Sequence, residues 1–153
     1  MTPEERAARV MARADELARI SEEDGRLTRR FATPALVEAG LLVARWMEEA
    51  GLTVSVDEAG NVRGRNGATG DPLVIGSHLD TVRDAGRYDG PLGVLAAIEI
   101  ADAVRGEAES IEVVGFSDEE GTRYAVAYLG SSAHRGRFES EWLSLEDSDG
   151  VRL

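Results

Sequence analysis

His78, Asp89 and the adjacent pair Glu119 and Glu120 are the residues of this chain best suited to chemistry, because each stands where a buried strand or its loop should end. GSHLDTV at 76–82 is followed by GRYDGPLGV at 86–94, and FSDEEGTRY comes at 116–124. Carboxylates and imidazole offer hard oxygen and borderline nitrogen donors, a set that divalent metals take from proteins. His78, Asp89 and Glu120 are the expected ligands. Glu119, next to a ligand but not needed as one, is then free to act as a base toward a water. Each position also has an ordinary reading: a hydrogen-bonded histidine, an aspartate that caps a helix or starts a turn before Gly90 and Pro91, a solvated acidic loop at 118–120. None of these explains why all three sites fall on one sheet edge. Acidic groups brought together there repel unless a cation neutralises them, so metal binding is the expectation.

The elements that must position these residues are legible as patterns. LVIGS at 73–77 and IEVVGF at 111–116 are short apolar runs of the kind found in strands covered on both faces, and 92–104 between them reads as a helix. Strand, helix, strand predicts two parallel strands joined by a right-handed crossover, both ending on one edge. Ligands of open α/β sheets gather outside the carboxyl ends of such strands, where His78, Glu119 and Glu120 would emerge. Upstream, Thr2, Pro3 and Glu5 predict a capped helix start, with Ala7, Val10, Met11, Ala14, Leu17 and Ala18 on its inward face. Thr33 and Pro34 predict a second helix, with Val37, Leu41, Ala44 and Met47 inward and Gly51 in the left-handed position past its end. Leu52, Val54 and Val56 alternate as a strand buried on one side, and the turn at Gly60 and Asn61 returns the chain through Val62 as a hairpin.

Composition sets limits on partners and class. A chain of 153 residues with 42% apolar and 30% charged residues has the size and balance of one folded domain. Its net charge of -12 argues against nucleic acid and against an anionic membrane, both of which require clustered Lys and Arg. There is no cysteine, so any metal must be held by His, Asp or Glu. The start MTPEERAARV lacks the basic and apolar regions of a secretory signal, and the longest apolar stretch, 92–104, is interrupted by Glu99 and Asp102; a cytoplasmic location is the expectation.

The order GSHLDTV, GRYDGPLGVLAAIE, FSDEEGTRY, LGSSAHRGR resembles the amidohydrolase branch of the metal-dependent aminoacylase and carboxypeptidase superfamily, the group of allantoate amidohydrolase and N-carbamoyl-L-amino-acid hydrolase. The resemblance begins near Leu27 in LTR and runs through EEAGLTVSVDEAGNVRGR at 48–65 to the last residue. It implies an α/β fold, a three-layer αβα arrangement around a mixed, largely parallel sheet. It also implies two divalent metal ions, zinc or manganese first and cobalt or nickel next, with His78 on one, Glu120 on the other and Asp89 bridging. Glu119 would be the general base, and Asp80 the carboxylate that orients His78. A small-molecule substrate with a ureido, carbamoyl or amide group follows.

Members of that group are much longer, carrying a lid and dimerisation domain, two further histidine ligands and a homodimer contact. Residues 1–153 are therefore expected to be the N-terminal part of the catalytic domain, inactive alone, with an apolar edge or face left uncovered. His134 lies where the group has no ligand and is expected in a surface loop. An aminoacylase- or dipeptidase-like enzyme and a non-catalytic binding module stay open as alternatives.

Overall fold

The computed structural model describes residues 1–67, 69–106 and 109–153. Helix α1 (Pro3–Leu17) starts as the sequence predicts: the Glu5 N–H donates to the Thr2 hydroxyl at 3.2 Å, and the Thr2 N–H to the Glu5 carboxylate at 2.8 Å. Each bond satisfies an amide that a bare helix end leaves open. The inward face is a correction. Ala14 and Leu17 are buried, but Ala7 and Met11 face solvent, and Arg6, Arg9 and Arg13 turn toward helix α3 (Pro91–Ala103) instead. There Arg9 meets Glu99 at 2.5 Å and Asp102 at 2.7 Å, Arg6 meets Asp102 at 2.9 Å, and Arg13 joins Glu99 to Glu49. The two acids that interrupt the apolar stretch 92–104 are thus the seats of an arginine ladder. Burial works against the Asp102 carboxylate, but Arg9 and Arg6 outweigh it and hold its pKa below the usual range.

Helix α2 (Pro34–Glu49) is capped by Thr33, and Gly51 takes the expected left-handed conformation at φ +82°. Its core face is Leu36, Ala39, Val43, Trp46 and Met47, whereas Val37 and Leu41 are each 60% exposed. Met47 faces inward as expected, whereas Val37 and Leu41 turn outward. The helix is apolar around most of its circumference, so two stripes satisfy the same spacing and the pattern does not choose between them. Val37 and Leu41 line an apolar groove of about 410 Å³ with Phe31, Val56, Phe138 and Leu143.

The sheet runs β1 (Thr53–Val56), β2 (Val62–Arg65), β4 (Ile111–Phe116), β3 (Leu73–His78) in spatial order. β1 and β2 form the expected antiparallel hairpin, β2 pairs antiparallel with β4, and β3 pairs parallel with β4 through the α3 crossover. The α/β class and the mixed sheet are as the sequence implies, but among the described strands only β3 and β4 pair parallel, so the sheet is not largely parallel, because the β1–β2 hairpin joins it antiparallel. Val62, Gly115 and Ser77 form one cross-strand row; Gly40 of α2 lies against Val62 and Gly93 of α3 against Ser77, so both helices cover the same face. β4 is buried along nearly its whole length. β3 differs from expectation: it is an edge strand with one neighbour, and Leu73 and Val74 are 64% and 45% exposed. Continuous apolar sequence says that a strand can be covered on both faces, not that it is. Val56 likewise is exposed at the opposite edge. Among the described residues, no helix is long and apolar enough to cross a membrane.

Candidate metal centre

His78 is the last residue of β3 and sits in register with Phe116, the last of β4. Two parallel strands therefore finish together, and the loops that leave them rise from one edge. The turn after β3 is held internally: the His78 Nδ1–H donates to the Asp80 carbonyl at 3.0 Å, with the Asp80 carboxylate at 3.3 Å. That tautomer leaves Nε2 free to bind a ligand.

Asp80 is fully buried and does more than face the imidazole. Its two carboxylate oxygens accept the backbone N–H groups of Glu119 at 3.0 Å and Glu120 at 3.2 Å. One carboxylate thus joins the β3 turn to the acidic loop after β4. The result is a group, His78, Glu119 and Glu120, whose donor atoms lie within 4.8 Å of one another. Asp89 belongs to the same neighbourhood, its Oδ1 3.9 Å from His78 Nε2. It is mostly exposed and does not cap α3, whose N-cap position is Gly90. The four residues named from the sequence are therefore brought together.

Gly90 makes this approach possible. It has φ +80°, and a Cβ there would lie 2.6 Å from two atoms of the His78 ring, so a side chain would displace the imidazole. The acidic loop has its own support, which sequence reasoning missed. Asn61 is completely buried and fully bonded: its amide donates to Asp57 and to the Gly130 carbonyl, both at 2.8 Å, and its carbonyl oxygen accepts from the Ser117 N–H at 3.0 Å and the Ser117 hydroxyl at 3.3 Å. Read as a turn residue, Asn61 also locks the hairpin to the strand end. The Asp118 carboxylate accepts the Leu129 N–H at 3.1 Å and is buried, which pushes its pKa up to about 7. It is an anchor of the loop rather than part of a solvated acidic run.

His134 requires a correction. It ends helix α4 (Leu129–His134) and is half-buried with its ring edge-on to Phe116 at 5.6 Å, not in a surface loop. The short apolar start of LGSSAHRG gave too little periodicity to show a helix.

Electrostatics follow from this crowding. Burial disfavours the His78 imidazolium, but the Asp80 carboxylate and carbonyl and the charge of Glu119 outweigh it and raise the pKa to about 9. Glu120 is pushed up by burial first and by Glu119 next. Asp80, Asp89, Glu119 and Glu120 stand against one imidazole. Mixed oxygen and nitrogen donors with a surplus of negative charge have the chemistry that a divalent cation satisfies.

Comparison with known proteins bears on this site. The chain is 40% identical, over 94% of its length, to a probable allantoate deiminase of Oryza sativa subsp. japonica, and 39% identical, over 95%, to an N-carbamoyl-L-amino acid amidohydrolase of Geobacillus stearothermophilus. The crystal structure of AtUAH in complex with (S)-hydroxyglycine superposes with a TM-score of 0.86 at 30% identity, covering 95% of this chain and 37% of that one. The chain belongs to the family of allantoate and N-carbamoyl-L-amino-acid amidohydrolases. It spans about a third of the length of the curated relatives it matches, 31% and 37% for these two. No family model matches the chain. By their names, these relatives hydrolyse carbon–nitrogen bonds in small molecules.

Proposed function

We propose that residues 1–153 are the N-terminal part of the catalytic domain of a metal-dependent hydrolase that cleaves ureido, carbamoyl or amide carbon–nitrogen bonds, with allantoate or N-carbamoyl amino acids as the substrate class. The observation that carries this reading is the meeting of His78, Glu119 and Glu120 within 4.8 Å, with Asp89 3.9 Å from the imidazole. His78 through Nε2, Glu120 and Asp89 would hold the metal. Two divalent ions, zinc or manganese before cobalt or nickel, would supply Lewis acidity toward a substrate carbonyl and a lowered pKa for water.

The chain's own residues divide the remaining work. Glu119 takes a proton from the attacking water and returns it to the leaving nitrogen, which departs as ammonia or a neutral amine as the carbon–nitrogen bond breaks. Asp80 orients His78 by its contact at Nδ1 and fixes Glu119 and Glu120 by their amides. Alone, the segment supplies too few ligands for tight metal binding, so it is inactive by itself.

Joining residues 1–153 to the complementary two thirds of a relative tests the reading. Manganese-dependent hydrolysis of N-carbamoyl amino acids or allantoate supports it. Preference for N-acyl amino acids points to an aminoacylase-like enzyme instead, and metal binding with no hydrolysis of either class to a binding module.

A further inference from the structure

The LTR segment at 27–29 carries part of the family resemblance, yet the mechanism above gives it no task. Arg29 nevertheless occupies a costly position. It is 0% exposed and bonded to carbonyls alone: Nε donates to Leu79 at 3.1 Å, and Nη1 to Leu17 at 2.8 Å and Ile20 at 3.1 Å. Nη2 is buried without a hydrogen-bond partner among the described residues. Burial drives its pKa down to about 10 despite the nearby charge of Asp80. A guanidinium placed this deep with no acid bonded to it among the described residues is expensive, which calls for a compensating task.

Its contacts indicate the task. Leu79 lies between His78 and Asp80, so the carbonyl that Arg29 holds belongs to the peptide that leads into Asp80, one residue past His78. The main chain adds two bonds: Arg29 N–H to the Thr81 hydroxyl at 2.9 Å, and Thr81 N–H to the Arg29 carbonyl at 2.8 Å. The second loop is tied to the same segment. Arg123, three residues past Glu120, donates from Nη1 to the carbonyls of Phe31 and Ala32, both at 2.9 Å. Ala32 has φ +54°, a conformation that few non-glycine residues adopt and that the surrounding bonds must stabilise.

We propose that residues 29–32 form a bracket between the two loops of the metal centre, with Arg29 as its positioning residue. Its guanidinium and its Thr81 pairing fix the His78–Asp80 turn; the Asp80 carboxylate then passes that order to the amides of Glu119 and Glu120, and Arg123 closes the bracket from the other side. The bracket's function rests on the metal-centre reading above; its geometry does not.

The test combines amide hydrogen exchange of the metal-free chain with calorimetric titration by MnCl₂, in the unmodified protein, Arg29→Lys, Thr81→Val and the core control Val43→Ala. Arg29→Lys is expected to speed exchange of the Glu119 and Glu120 amides at least tenfold and to weaken Mn²⁺ binding by a similar factor. Thr81→Val should do the same more weakly. Val43→Ala should speed exchange only through global opening and leave Mn²⁺ affinity within twofold. Unchanged exchange at Glu119 and Glu120 in Arg29→Lys overturns the bracket, as does unchanged affinity where those amides have opened. If the unmodified chain binds no Mn²⁺, the exchange pattern alone decides the bracket, and the metal-centre reading is decided separately by Mn²⁺ content of the protein joined to the rest of a relative. If Arg29→Lys does not fold, Thr81→Val decides it by the same two readouts.

Discussion

Two clusters of ionised side chains lie in this chain, and they are built to opposite rules. Between α1 and α3, the acids Glu99 and Asp102 are each met by arginines at 2.5–3.4 Å. At the strand ends, Asp80, Asp89, Glu119 and Glu120 share one imidazole, and Asp118 behind them is held toward its neutral form. The first cluster is complete in itself. The second is kept together by backbone amides on Asp80 and by the bonds of Asn61 and Asp118, and among the described residues no arginine pairs with its carboxylates. A folding core has no reason to assemble repelling carboxylates in this way; the proposed metal centre does.

The contrast can be broken by mutation. In a protein completed with the rest of a relative, Glu119→Gln should lower turnover about 10³-fold, or about 4 kcal/mol, with metal content unchanged by elemental analysis. Turnover close to the unmodified value would remove Glu119 as the base. In the arginine ladder, Glu99→Leu removes the most buried acid and leaves Arg6 and Arg9 with Asp102 and Arg13 with Glu49, and should cost about 2 kcal/mol, lowering Tm by roughly 6 °C in thermal melts. A loss of only a degree or two would mean that solvent already serves those arginines.

The two regions should also respond to pH with opposite signs. Asp102, depressed in the folded chain, contributes stability that is present above its unfolded value near 3.8 and is lost as pH falls through its folded pKa. His78, raised to about 9, contributes stability that is fully present below its unfolded value of 6.5 and is lost as pH rises through 9. Asp118 acts in the same direction as His78: its folded pKa of about 7 makes stability fall between 3.8 and 7. Urea denaturation of the metal-free chain should therefore show decline from pH 6 toward pH 9, and Arg6→Gln should alter only the acid limb. The smallest effect separates the clusters most cleanly. Glu120→Gln removes repulsion from the metal-free site and should raise stability by about 0.5–1 kcal/mol, whereas loss of a carboxylate from the ladder always lowers it. Destabilisation by Glu120→Gln would show that the site is already compensated.

Much of this arrangement was legible in the residues because spacing and chemistry agreed. The parallel pair β3 and β4, the crossover helix, the capped helix starts and the hairpin each had a local signal. What the pattern did not show were choices made by tertiary partners. Val37 and Leu41 satisfy helix spacing as well as the true core face of α2, and β3 reads as doubly covered while it lies at an edge. Arginines at positions 6, 9 and 13 fit the periodicity of an inward stripe, but only Glu99 and Asp102 on a distant helix explain why they take it. At the site, His78, Asp89, Glu119 and Glu120 announce themselves by residue type. Asn61 and Arg29 do not, since a turn asparagine and a lone arginine have ordinary uses that only their buried bonding partners rule out.

Titration of the isotopically labelled chain with Mn²⁺, read by paramagnetic broadening of its NMR resonances, tests most directly whether the strand-end carboxylates and imidazole share a cation. His78, Asp89, Glu119 and Glu120 should broaden first and together, and Glu120→Gln should move that onset to much higher Mn²⁺. Earlier broadening at the other acidic residues, or uniform broadening across the surface, would contradict the account.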